Sequence, residues 1–98
     1  MTTITTITNI VADHYGLTHG QMVGKRRARH IAWPRQVAMY ACRKLTNASL
    51  PEIGRCFVRD HTTIMHGVKA ASARAKPVDW RVIEAIAKRC NLDVSGDD

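Results

Sequence analysis

Aromatic residues are scarce in this 98-residue chain, which holds two Trp, two Tyr and one Phe. A core must therefore be built mainly from Ile, Val, Leu, Ala and Met, and a hydrophobic content of 45% is enough for one. No apolar run approaches the ~18 residues that a bilayer-spanning helix needs, so no membrane partner is expected. The first ten residues lack both a basic start and a continuous apolar stretch, and do not read as a secretory signal. Cysteine is limited to Cys42, Cys56 and Cys90, an odd number without CxxC spacing. That argues against a disulfide framework or a cysteine zinc site. All three are read as small buried hydrophobes in a reducing cytoplasm.

Acid is missing from a long stretch. Between His14 and Pro51 there is no Asp or Glu, while Lys25, Arg26, Arg27, Arg29, Arg35, Arg43 and Lys44 all fall there. From Glu52 onward, eight basic residues face seven acidic ones. The net charge of +7 thus arises in the middle of the chain, and a polyanionic partner is the expectation. A solvated basic face is the plain alternative for any single run of this kind.

What is present reads as helix throughout, as one domain over 1–93 with a disordered tail at 94–98. Ile4, Ile7, Val11 and Tyr15 recur at spacings of three and four, marking one face of a first helix that ends at Gly16. Thr18 can cap a short second helix through Met22 and Val23. A basic loop at 25–29 follows. The next helix is expected over about 32–46, with Pro34 in its first turn. Val37, Ala38, Ala41 and Leu45 form its core face. Arg35, Gln36, Met39 and Arg43 form an outward basic face.

Ser49 followed by Glu52 is a capping box. It opens a short helix through about Phe57, with Leu50, Ile53 and Phe57 facing inward. Val58 and Arg59 connect it to Asp60, a good N-cap for a helix over about 61–74. Ile64, Val68 and Ala71 make that helix's core face, and Thr62, His66 and Lys69 project opposite. Pro77 ends it. A last helix over about 80–90 would bury Val82, Ile83, Ile86 and Cys90. Short helix, tight turn and longer helix match a helix-turn-helix, whose second helix enters the DNA major groove first-turn foremost, although such pairs, with an ordinary solvated face, are also common in proteins that never touch DNA. Hydroxyls, an imidazole and an ammonium on the exposed face suit base edges, thymine methyls and phosphates.

Several ordered motifs go beyond general pattern. Leu45-Thr46-Asn47-Ala48-Ser49-Leu50-Pro51-Glu52-Ile53-Gly54, then Arg59-Asp60-His61-Thr62-Thr63-Ile64-Met65-His66, closely resemble the C-terminal DNA-binding domain of the DnaA replication initiators. Lys25-Arg26-Arg27 and Pro34-Arg35-Gln36-Val37-Ala38-Met39-Tyr40 resemble it as well. The resemblance covers about residues 4–76 and implies an all-α, Trp-repressor-like helix-turn-helix fold. It also implies roles. Asp60, His61, Thr62 and Thr63 would read bases in the major groove, and Arg27 would enter the adjacent minor groove. Arg35, Gln36, Arg43, Leu50, Pro51 and His66 would lie along the DNA backbone, where Lys25, Arg26 and Lys69 are expected from their own charge. The implied target is double-stranded DNA carrying an element resembling TTATCCACA. The residues themselves assign Asp60 first to capping, and place His61 nearer the core side of the helical wheel.

Two departures stand out. The family's turn usually reads Phe-Gly-Gly-Arg-Asp. Here Phe57-Val58-Arg59-Asp60 is one residue shorter and has no glycine. Trp33 stands where the family usually has arginine before the proline, and its ring can pack on a sugar-phosphate edge or cover the helix start. The family's ATP-binding domain has no counterpart within these 98 residues. Gly20 to Lys25 is one residue short of P-loop spacing and lacks the following Ser or Thr, so no nucleotide cofactor is expected. His61 and His66 have no cysteine or carboxylate to complete a metal set. The reading is a cytoplasmic, nucleoid-associated, non-enzymatic binder of DnaA-box-like duplex that regulates replication or transcription. A protein-interaction module that kept the fold but lost specific DNA binding is the alternative.

Overall fold

The first helix, α1 (Ile4–His14), buries Ile7 and Val11 completely, as its spacing predicts. Thr8 joins that buried face because its hydroxyl donates to the Ile4 carbonyl at 2.7 Å, so its polar atom is satisfied within the helix. The helix closes with a Schellman pair. The N–H groups of Leu17 and Gly16 donate to the carbonyls of Ala12 and Asp13 at 2.8 and 3.2 Å, with Gly16 at φ +70°. The computed structural model describes residues 4–24, 29–74, 81, 83–86 and 88. The loop residues Lys25 to Ala28, the core candidates Val82 and Cys90, and the 94–98 tail lie outside the described residues.

Helix α2 (His19–Val23) starts at a full capping box on Thr18, whose hydroxyl accepts from the Gln21 N–H while the Gln21 amide oxygen accepts from the Thr18 N–H. Helix α3 (Arg29–Leu45) begins earlier than expected, which leaves Pro34 in its sixth position, inside the helix. Helices α4 (Leu50–Phe57) and α5 (His61–Arg74) follow, and residues 81, 83–86 and 88 are helical again. No strand occurs among the described residues, and the all-α expectation is met.

Helix α3 is the hub, packing against each of the other four. That position corrects the two-faced reading of this helix. Val37, Ala38, Ala41 and Leu45 are buried as expected, but so are Met39 and Arg35 on the supposed outer face. Helix α5 covers Met39, coming so close that a Cβ on Gly67 would lie 2.6 Å from the Met39 sulfur. Ile53, Phe57 and Ile64 bring α4 and α5 into the same core, and Ile83 and Ile86 complete it. Each such side chain contributes roughly 1.5–3 kcal/mol when fully buried. Cys42 behaves as a small core residue. Burial pushes its thiol up to about 12, so it stays protonated. Cys56 does not, because it lies at the edge of the face of α4 that buries Ile53, Gly54 and Phe57, and is exposed.

Candidate nucleic-acid interface

Ser49 and Glu52 reciprocally cap α4, the hydroxyl accepting from the Glu52 N–H and the carboxylate from the Ser49 N–H, both at 3.2 Å. The helix ends with the same pair of hydrogen bonds that ends α1. Arg59 N–H donates to the Gly54 carbonyl at 2.8 Å, and Val58 N–H to the Arg55 carbonyl at 3.3 Å. The left-handed position is filled by Val58, at φ 55° and ψ 48°. A β-branched residue is poorly suited to this region, where its Cβ crowds the following carbonyl. The turn is tight on its inner side as well, since a Cβ on Gly54 would lie 2.5 Å from the Arg59 carbonyl oxygen. The glycine-free connection therefore keeps its bonding pattern by placing a strained valine where glycine would be at ease.

Asp60 caps α5. Its carboxylate accepts from the Thr62 N–H at 3.1 Å. That bond, ahead of the hydroxyl of Thr62 and the neighbouring His61, holds the Asp60 carboxyl below the usual carboxylate range. The side chain is still 68% exposed, and that of His61, 3.5 Å away through Nδ1, is 58% exposed. His61 is thus on the open side, contrary to its place on the helical wheel, because the first turn of α5 stands clear of the core. Thr62, Thr63, His66 and Lys69 are exposed too, while Ile64, Gly67 and Ala71 are buried.

Two concavities flank this helix. Thr63 and His66 share a cleft of about 350 Å³ with Gln36, Arg35 and Arg59 of neighbouring elements. Lys69 shares a larger one, about 680 Å³, with Arg43, Lys44, Tyr40 and Asn47. Arg43 is exposed and donates to the Ala48 carbonyl at 3.1 Å, so its charge is steadied at the surface. Gln36 is half-buried, Leu50 is half-buried against the core and Pro51 is exposed in the first turn of α4. Trp33 packs partly on the core, and the Arg74 guanidinium carbon lies 5.8 Å from its ring centroid. The ring thus faces the end of α5 and covers the helix rather than standing free.

Arg35 is the clearest departure from expectation. It is only 6% exposed. Its guanidinium donates to the carbonyls of Met22, Gln21 and Gly24 at 2.7, 2.8 and 3.1 Å, closing the C-terminal end of α2. Burial first, and then the nearby charge of Arg59, lower its pKa from the ordinary value. Arg59 was not among the residues singled out from sequence. It donates to the carbonyls of Gly24 and Phe57 at 2.5 and 2.6 Å and to that of Val23 at 3.4 Å. The only sequence signal for it is its place in the turn motif. Lys25, Arg26 and Arg27 lie outside the described residues.

A capped helix, a three-residue connection and a second helix presenting an open, polar first turn define a helix-turn-helix protein. Comparison with known proteins agrees in detail. The family described as bacterial dnaA protein helix-turn-helix matches residues 4–70, and the chain belongs to that family. It is 56% identical over 68 residues to the chromosomal replication initiator protein DnaA of Roseobacter denitrificans, covering 68% of this chain and 15% of that protein. With the protein of the same name from Ruegeria pomeroyi it is 54% identical over 85 residues, 86% of this chain and 18% of the relative. A crystal structure of a DNA replication initiation factor superposes with a TM-score of 0.75 at 31% identity, over 88% of this chain and 27% of that one. The chain thus spans less than a fifth of the length of these two curated relatives.

Proposed function

We propose that this chain binds double-stranded DNA in a sequence-specific way, at elements resembling a DnaA box, and that it acts on replication or transcription by occupying them. The observation that carries this reading is the first turn of α5. Four side chains with hydrogen-bonding capacity, Asp60, His61, Thr62 and Thr63, stand exposed there on a helix whose opposite face is locked into the core. Such a turn, inserted into a major groove, meets base edges. Arg43, Lys69, Gln36, His66 and Pro51 supply or flank the backbone contacts, and Arg27 with Lys25 and Arg26 supplies the minor-groove arm. Arg35 plays a different part, because its guanidinium is spent on carbonyls of α2. Affinity comes from neutralised phosphates and selectivity from α5.

Titration of labelled duplexes carrying TTATCCACA or a scrambled sequence tests this. A clear preference for the first is expected, with a steep loss in salt. Five neutralised phosphates would give a slope of log K against log salt of about −4.5. Equal, salt-insensitive binding to both duplexes would overturn the reading. Val58, a large apolar residue 70% exposed in the shortened turn, favours a protein-interaction module instead. That module would show no preference in the same titration.

A further inference from the structure

Arg59 sits one residue before the N-cap of α5, yet its side chain belongs to a different neighbourhood. It crosses from the turn to the end of α2, donating to the carbonyls of Val23 and Gly24 while holding the carbonyl of Phe57 in its own turn. Arg35 reaches the same cluster from α3. Together the two guanidinium groups occupy the last carbonyls of α2, which no intrahelical donor can reach. They do so although burial first, and then the charge of Arg59, disfavour the charged form of Arg35. Arg35 alone already holds the carbonyls of Gln21, Met22 and Gly24. The second carries the turn along with it.

We propose that Arg59 is a positioning residue for DNA reading. It braces the helix-turn-helix connection against the end of α2, and so sets the angle at which Thr62 and Thr63 are presented. The inference rests on the reading that α5 contacts bases. Two features make a brace necessary here. The connection contains no glycine, and Val58 holds a left-handed backbone conformation that is strained for a β-branched residue. The main chain of Arg59 is already pressed against Gly54 on one side, so the side chain fixes the other. The requirement is for arginine. A planar fork reaches Phe57 and Gly24 together, whereas a lysine ammonium is a single point.

The test uses the whole chain with Arg59→Gln and Arg59→Lys. Without DNA, amide hydrogen exchange should quicken in both variants at α2 and at Thr62 to Ile64 together, with the amides of α1 and mid-α3 unchanged. Quickening confined to the turn, or spread over every helix, would refute the brace. With DNA, affinity for the TTATCCACA duplex should fall about tenfold or more, a change of ~1.4 kcal/mol by the usual conversion, while scrambled duplex loses little. The salt slope should be that of the unsubstituted protein, whereas loss of a direct phosphate contact would reduce it by about one and affect both duplexes alike. In the Arg59→Gln background, Thr63→Ala should cost less than it does alone. Full additivity would mean that the two residues act separately and that the proposal fails. If Thr63→Ala alone fails to distinguish the two duplexes, base reading by α5 is what has failed, and the exchange experiment still decides the brace. Arg59→Lys serves where Arg59→Gln does not fold.

Discussion

Arg35 and Arg59 donate to a single carbonyl oxygen, that of Gly24, from 3.1 and 2.5 Å. The arrangement turns two residues of a strongly basic chain inward, and leaves the outward charge to others such as Arg43 and Lys69.

The first prediction follows directly. Arg35→Ala should destabilise the fold rather than merely weaken DNA binding, because it strips donors from the carbonyls of Gln21 and Met22. Each buried carbonyl left without a partner costs roughly 1–3 kcal/mol. Thermal melting should show a clear drop in Tm, with little recovery in Arg35→Lys. A variant that melts like the parent but binds every duplex more weakly would return Arg35 to the phosphate contacts.

Val58 offers the opposite outcome. Holding a non-glycine residue in the left-handed region costs roughly 1–2 kcal/mol, more than the ~0.4–1 kcal/mol of unfolded-state entropy that glycine brings back. Its side chain is 70% exposed, so removing it sacrifices little packing. Val58→Gly should therefore raise Tm slightly. A lower Tm would show that the valine side chain makes a stabilising contact that outweighs its backbone strain.

For base reading, Thr62→Ala and Thr63→Ala should each lose about 1–3 kcal/mol on the TTATCCACA duplex and little on a scrambled one. Arg43→Ala should weaken both to a similar degree, as a phosphate contact does. Matched salt and a melting curve for each variant are required. Threonine variants that weaken both duplexes by the same factor would remove α5 from the bases.

Asp60 gives a pH dependence whose sign is fixed. Its folded pKa is depressed, mainly by the Thr62 N–H, so its capping contribution is present above the ordinary value of about 3.9 and is lost as pH falls through the lowered one. Acid titration followed by circular dichroism should show α5 weakening at the low end. Asp60→Asn keeps an acceptor without the titration, and should flatten that part of the curve. An unchanged curve would assign the acid transition to other carboxylates such as Glu52, which is likewise held low by its bond to Ser49.

Local chemistry was legible in the sequence wherever partners lie within a few residues. The capping boxes at Thr18 and Ser49, the stop at Gly16 and the Asp60 cap are each written in three or four letters, and each is present. Pro34 misled because proline normally marks a first turn, while α3 starts five residues sooner. Arg35 misled for a different reason. Its charge is evident from its letter, but the carbonyls that bury it belong to residues 11 to 14 positions earlier, at the end of a helix that must first be packed against α3. The apolar neighbours of Cys56 point to the core, but the short α4 has only one inward face to give, and Cys56 is exposed.

Helix α2 has a consequence for how the molecule is made. It spans five residues, far below the length at which a helix holds together unaided. The groups that close its carbonyl end are encoded between 11 and 36 positions further along the chain. A ribosome delivers α2 well before it delivers Arg59. During that interval Arg35 arrives and can close part of that end, but the Val23 carbonyl still awaits the donor that Arg59 brings. The end of the second helix is therefore completed only once the turn before α5 has been made.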